Sequence, residues 1–549
     1  MTMLDTSNPG TDTSPRSLDA VVVGSGFAGM HMLHRLRELG LRVRVYERGS
    51  DVGGTWYWNR YPGARCDIES VDYSYSFSPE LEQEWRWSEK FATQPEILRY
   101  ANHVADRFDL RRDIQFDTRI VAASFNEAAG QWEIRSEAGE EIRADYFILA
   151  TGCLSVGNVP DIPGLDTFAG SVHHTGNWPH HGVDLAGQRV GVVGTGSSGI
   201  QSIPIIAEQA ASTVVFQRTP NFSLPAHNRE LSEDYLLEVR AGYAERRHLA
   251  RYSNGGVPRV DTTVNAFDIP DDARHQTYER LWEEGGLNFA NAFADLRTSH
   301  ESSETAAEFV RQKIRQIVED PKTADLLTPT TYPFATKRPC VDTGYYATFN
   351  REDVELVDVK ATPIQEITET GIRTAEATYT LDTIVFATGF DAMTGAINSI
   401  DIRGRGGERL RETWAAGPRS YLGLACAGFP NMFTLATAGS PSVLGNMLTS
   451  IEQHVDYVTE LIDSARAEGA ALIEATREAQ DGWVEHLGDL AGKTLFPSAA
   501  SWYMGANIPG KPRVFLPYVG GVGTYRRLCE RIAADGYPGF TRVRQSVAR

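Results

Sequence analysis

No uncharged apolar segment of this 549-residue chain approaches the ~20 residues needed to cross a hydrocarbon core, which excludes a membrane-spanning helix. Basic charge is scarce as well: 53 Lys and Arg stand against 72 Asp and Glu, a formal net charge of -19. A nucleic-acid partner needs clustered cations and is therefore not expected. The five cysteines, Cys66, Cys153, Cys340, Cys426 and Cys529, are scattered with no C-x-x-C, which supports neither a disulfide framework nor a zinc knuckle. Such spacing fits buried thiols in a reducing cytoplasm. The first eighteen residues hold no apolar run of signal-peptide type and read as a disordered tail, 1–18. What remains is a soluble, cytoplasmic, small-molecule protein with no obligate protein partner evident, long enough for two or three domains.

The segment "LDAVVVGSGFAGMHMLHRLRELGLRVRVYERGS" runs from a buried-strand pattern through Gly24, Gly26 and Gly29 into a helical pattern and then a second strand ending at Glu47. Glycines at that spacing let backbone N–H groups approach a pyrophosphate at a helix N-terminus, and a carboxylate at the strand end accepts ribose hydroxyls. The unit recurs as "QRVGVVGTGSSGIQSIPIIAEQAASTVVFQRTP", with Gly194, Gly196 and Gly199, but its strand ends in Gln217, Arg218 and Thr219. An arginine there pairs with a 2′-phosphate, so the second site is expected to prefer NADPH and the first to hold FAD.

Two further buried strands closing on small residues, "YFILATG" and "TIVFATGFDAMTG", carry the chain between the units. The expected fold is α/β with two Rossmann-like dinucleotide-binding domains: FAD over 19–150 and 390–549, NADP over 151–221 and 331–389. Between them, 222–330 shows apolar residues at helical spacing and reads as a helical insertion in the NADP domain, with a mobile loop at "RYSNGGVPR".

The stretch "FAGSVHHTGNWP" lies between the two cradles. Adjacent His173 and His174 point apart on most backbones and no second ligand pair follows, so no metal is expected. A lone-histidine base is not excluded by spacing, but the position suits a linker that senses both domains.

Phe168, Gly170, His174, Trp178 and Pro179 together resemble the F-x-G-x-x-x-H-x-x-x-W-[PD] fingerprint of type I Baeyer–Villiger monooxygenases. "DVGGTWYWNRYPGARCDIES", "ATKRP" and "SWYMGANIPGKPR" resemble the same family, and the likeness extends over nearly the whole chain after the tail, nearest the phenylacetone and steroid monooxygenase branch. The resemblance implies an NADPH-dependent enzyme that uses a C4a-peroxyflavin to insert one oxygen atom of O2 beside a ketone carbonyl, giving an ester or lactone. It implies that the fingerprint is a hinge. It makes Arg338 the fixed cation for the anionic oxygen and Asp67 its partner. It assigns Gly24, Gly26, Phe27, Gly29, Glu47, Gly54, Thr55, Trp56, Asp67, Tyr73, Ile120 and Met447 to FAD. To NADP it assigns Arg65, Thr195, Gly196, Ser197, Ser198, Gly199, Ile200, Gln201, Arg218, Thr219, Lys337, Arg338 and, as a lid, Trp502. Ser442, Val443 and Leu444 are expected to line an apolar ketone pocket, and Ala438 departs from the family's Gly-Pro-Gly-Ser-Pro run.

Rival readings are a flavin-containing monooxygenase of amines or sulfides, which typically lacks the Trp-Pro ending, and a non-enzymatic redox-sensing flavoprotein. A disulfide reductase is disfavoured by the absence of paired cysteines.

Overall fold

The computed structural model describes residues 16–544, so most of the expected tail lies outside the described residues. Its boundary moves, because the first strand, Arg16–Val23, already includes residues 16–18. That strand lies centrally in an eight-stranded sheet, paired in parallel with Val43–Tyr46 and with Glu141–Leu149. Its residues Ala20, Val21 and Val22 are fully buried, as the unbroken apolar pattern of a two-sided parallel strand requires. Ile120–Asn126 and Gln131–Ser136 extend the sheet by antiparallel pairing.

The chain returns to this sheet late. Asp401–Arg403 pairs with Ile120–Asn126, Met432–Thr434 pairs with Glu141–Leu149, and helix Met447–Ala467 packs on helix Phe27–Glu38. A second, wholly parallel sheet takes the order Val354–Asp358, Ser212–Gln217, Arg189–Val193, Thr383–Phe386, Ser171–His174. His173 and the fingerprint's His174 thus stand on an edge strand. The expected linker belongs to the second sheet, and Trp178 is buried in that unit's core.

The segment 222–330 is helical as its periodicity predicts, with Glu233–Tyr252, Asp271–Glu284, His300–Ile317 and Pro321–Leu327. One part of the expectation fails. Leu236, Val239 and Tyr243 of helix Glu233–Tyr252 pack into the core of the first unit, and Arg246 donates two hydrogen bonds to Asp72, at 3.0 and 2.8 Å. The helix therefore lies across the first unit, because its apolar face and its cations find partners there. The loop expected to be mobile is also tied down: Gly255 O accepts from Asn446 N–H at 2.8 Å and Gly256 O from the Thr449 hydroxyl at 3.0 Å.

Candidate active site

Both glycine turns are built alike. Gly24 and Gly194 have φ of 100° and 109°, and a Cβ on either would meet a carbonyl oxygen, Ala150 O or Ala387 O, at 2.6 Å. A Cβ on Gly29 would meet Gly24 O at 1.8 Å, and one on Gly199 would meet Gly194 O at 2.3 Å. These two glycines let helix and strand approach each other. Gly29 and Gly199 are thus required for the packing of helix on turn. Helices Phe27–Glu38 and Ser197–Gln209 begin at Gly26 and Gly196 with no acidic residue in the first turn, which leaves their N-termini for an anion. The Ile200 side chain is fully buried in the core, and its N–H donates to Gly196 O within the helix.

The strand ends differ. The buried Glu47 carboxylate accepts from Ser25 N–H at 2.7 Å and from Gly49 N–H at 2.8 Å, which fixes it beside the turn. In the second unit Gln217 occupies the corresponding place and donates to Leu326 O at 2.8 Å, away from the turn. Arg218 follows, exposed. Lys337 sits over the Tyr332 ring, 4.2 Å from its centre. Burial and the neighbouring Arg218 charge lower the Lys337 ammonium to about 8. Two cations near enough to influence each other, neither in an ion pair among the described residues, suit a phosphate. Thr195 closes the turn by donating to Thr219 O at 3.2 Å, and Ser198 shares a hydrogen bond with Thr175.

Between the units runs a cleft of about 830 Å³. Gly24, Gly26, Phe27, Glu47, Gly54, Thr55, Trp56, Asp67, Tyr73, Ile120 and Met447 line it from the first unit's side. Ser197, Gln201, Arg338, Arg65 and Trp502 line it too. Trp56 is buried and its indole N–H donates to the Tyr73 hydroxyl at 3.2 Å, whereas Trp58 lies half-buried beneath the Arg48 guanidinium, 4.3 Å from the ring centre. Gly54, at φ 53°, lies so close to the phosphate turn that a Cβ would meet Gly26 Cα at 2.8 Å. The Trp502 loop is anchored by Lys511, whose ammonium donates to Asp391 at 2.5 Å, and by Asn507, which donates to Phe390 O at 2.7 Å.

His174 lies on the cleft wall, where its Nδ1 accepts from Gly176 N–H at 3.0 Å; burial lowers the imidazole, opposed by hydrogen bonds to the backbone of Gly389 and Asn158. Among the described residues the Thr151 hydroxyl on the same wall is buried and unpartnered. Glycine cradles, a ribose-type carboxylate and an orphaned hydroxyl along one large cleft together fit extended dinucleotides.

A second cavity, about 310 Å³, adjoins the cleft, and the two share Asp67, Ile68, Arg338 and Gly445. At the junction Arg338 Nε and Nη2 donate to the two oxygens of Asp67 at 2.6 and 2.9 Å, and Nη1 donates to Val443 O at 3.0 Å. The pair is about four-fifths buried on the Arg338 side, with 20% of its side chain exposed. Burial opposes the Arg338 charge, but attraction and hydrogen bonds from Asp67 outweigh it and raise the group above its ordinary value.

Leu444 lines the smaller cavity and Val443 the cleft. Ser442 lines neither. It is fully buried at φ 33° with its hydroxyl turned to Ser440 O. Nor is the smaller cavity the apolar pocket expected, since Glu69, Asp72, Arg246, Arg259 and Arg297 share its wall with Phe496 and Leu444. Tyr503, which sequence reading passed over although it follows Trp502, lies buried on this wall, its hydroxyl raised to about 12 by burial against the pull of Arg338. Tyr61 was also missed: its hydroxyl donates to Gln201 at 2.8 Å and joins the two units. Among the described residues no group of three or more His, Cys, Asp or Glu is placed to hold a metal ion.

Two dinucleotide cradles facing one cleft, with a clamped guanidinium where it meets a separate cavity, define a flavoprotein oxidoreductase of the two-dinucleotide class. The family model for pyridine nucleotide-disulphide oxidoreductases matches residues 18–241, the shared nucleotide scaffold; the five cysteines are all free and buried. A Baeyer–Villiger monooxygenase of Pseudooceanicola batsensis is 42% identical over 97% of this chain and 98% of its own. A phenazine N-monooxygenase of Lysobacter antibioticus is 42% identical over 96% and 98%. The solved structure of an oxidized steroid monooxygenase bound to NADP superposes with a TM-score of 0.92 at 54% identity, covering 96% of this chain and 99% of that one. The chain belongs to the Baeyer–Villiger monooxygenases, FAD- and NADPH-dependent enzymes that place one oxygen atom of O2 next to a ketone carbonyl. No helix among the described residues is long and apolar enough to cross a membrane.

Proposed function

We propose that oxygen insertion takes place where the two cavities meet, with Arg338 as the catalytic cation and Asp67 as the residue that positions it. The carrying observation is that this ion pair belongs to both walls, one partner from each dinucleotide unit. Bound FAD supplies the oxygen-activating flavin, and NADPH supplies hydride. The chain's own part is electrostatic: Arg338 spends two donors on Asp67, one on Val443 O and one toward the Tyr503 hydroxyl, which leaves an N–H and the full guanidinium charge for a negatively charged oxygen beside the ketone. Its charge persists at any working pH, so it does not become a proton source.

Glu47, Trp56, Tyr73 and Met447 hold FAD on the unit formed by about 19–150 and 390–549. Ser197, Gln201, Thr219, Arg218 and Lys337 hold NADPH on the other, with the last two at the 2′-phosphate. Trp502 and Tyr503 cover the junction and exclude water, which favours oxygen transfer over loss of hydrogen peroxide. The fingerprint acts at the domain boundary through His174, whose ring lies against Gly157 and Phe390 on the strands' exits. Five buried free thiols and the net negative charge support a cytoplasmic enzyme that works without nucleic acid or an obligate protein partner.

The test is a panel of cyclic, aryl and linear ketones, with a sulfide and an N-heteroarene alongside, incubated with NADPH and O2 and read by mass spectrometry. Esters or lactones from ketones are expected. Conversion of the heteroarene alone would replace this reading with N-oxygenation.

A further inference from the structure

Four arginines line the smaller cavity, and three have carboxylate partners: Arg338 with Asp67, Arg246 with Asp72, Arg259 with Asp261. Arg297 has none. Its side chain donates to the neutral Asn291 at 3.1 Å, and its backbone oxygen accepts from Leu495 N–H at 2.8 Å, which fixes the residue beside the segment that carries Phe496 and Tyr503. Burial, then the charges of Arg259 and, more weakly, Arg338, lower its guanidinium to about 10, with Tyr503 and Asp261 in opposition. A guanidinium drawn from water toward other cations is unfavourable unless an anion joins it. Asn291 occupies one of its five donors, so a two-pronged face remains for a planar acceptor.

We propose that Arg297 determines substrate specificity by pairing with the carboxylate of a keto acid whose ketone lies at Arg338. The inference rests on the ketone-oxidising reading above. It adds that the preferred substrates carry an acidic group away from the reacting carbonyl, on a molecule small enough for a cavity of about 310 Å³. The neutral ketone and the charged carboxylate then each meet a guanidinium, one paired within the protein and one left for the ligand.

The experiment compares 2-(2-oxocyclohexyl)acetate with its methyl ester, the same ring ketone with and without the charge, as substrates of the holoenzyme. We expect kcat/KM to favour the acid, and Arg297→Met to lower the acid-to-ester ratio by roughly 10- to 150-fold, the range for a charge-assisted contact. Arg297→Lys should keep part of the ratio, and FAD content checks folding of both variants. An unchanged ratio in Arg297→Met overturns the proposal.

Calorimetric titration with cyclohexylacetate, which has no ketone, separates this inference from the one beneath it. Binding that weakens at least tenfold in Arg297→Met supports the anion site even if neither ketone is oxidised, in which case the ketone reading falls. Ester oxidised normally, with cyclohexylacetate binding equal in both proteins, leaves the ketone reading standing and removes this one.

Discussion

The two nucleotide cradles use the same backbone and end in opposite chemistry. Tyr46 O and Phe216 O accept from Gly24 N–H and Gly194 N–H at 2.8 and 3.0 Å, which aligns the two strand ends residue for residue. Glu47 therefore corresponds to Gln217, and Arg48 to Arg218. In the first unit the acid folds back on the turn, and Arg48 is held over Trp58. In the second, the amide of Gln217 turns to Leu326 O in the helical segment, and Arg218 stands exposed near Lys337. In the proposed reading the turn recognises a pyrophosphate in either case, while the residue at the strand end decides between a ribose hydroxyl and a phosphate. One unit offers a buried, preorganised acceptor. The other presents an exposed cation, as the proposal requires of a site whose cofactor exchanges.

The largest effect should come from cutting the place where the two units meet. Arg338→Ala should leave NADPH able to reduce the flavin but lower product formed per NADPH by about 100- to 1,000-fold, since one electrostatic contact to a developing oxyanion is worth about 2.7–4 kcal/mol. Product and hydrogen peroxide, counted against NADPH consumed, decide this, and a normal product yield would remove Arg338 from the chemistry.

Making the first cradle resemble the second comes next. Glu47→Gln puts an amide N–H against Ser25 N–H or Gly49 N–H and should weaken FAD binding by roughly 10- to 150-fold, read as flavin retained after dialysis. Arg218→Ala should lower the NADPH-over-NADH preference in kcat/KM by a comparable roughly 10- to 150-fold. If the preference survives, Lys337 carries the phosphate alone.

The smallest effect is in pH. Lys337, lowered to about 8, is charged below that pH and loses its proton above it, so KM for NADPH should rise above about pH 8, by at most about tenfold per unit, while KM for NADH should not. Removing the like charge in Arg218→Ala should move the rise to higher pH. A profile shared by NADH would place the titrating group elsewhere.

Both cradles, the acid of one and the arginine of the other were legible in the sequence, because each lies within one strand–helix–strand unit whose local geometry puts its glycines and strand end together. The Baeyer–Villiger likeness was legible for the same reason, carried by short motifs. Tertiary structure decided what is distant along the chain. Asp67 and Arg338 are 271 positions apart, and their bidentate contact exists only because the first unit's loop and the second unit's loop close on one junction. The same holds for helix Glu233–Tyr252, whose periodicity announced an apolar face but not which core would bury it. It holds also for Ser442, turned inward by a positive φ, and for Arg297, an arginine with no motif around it. Periodicity and motif are properties of neighbours in sequence, while burial, charge pairing and the shape of a cavity are sums over neighbours in space.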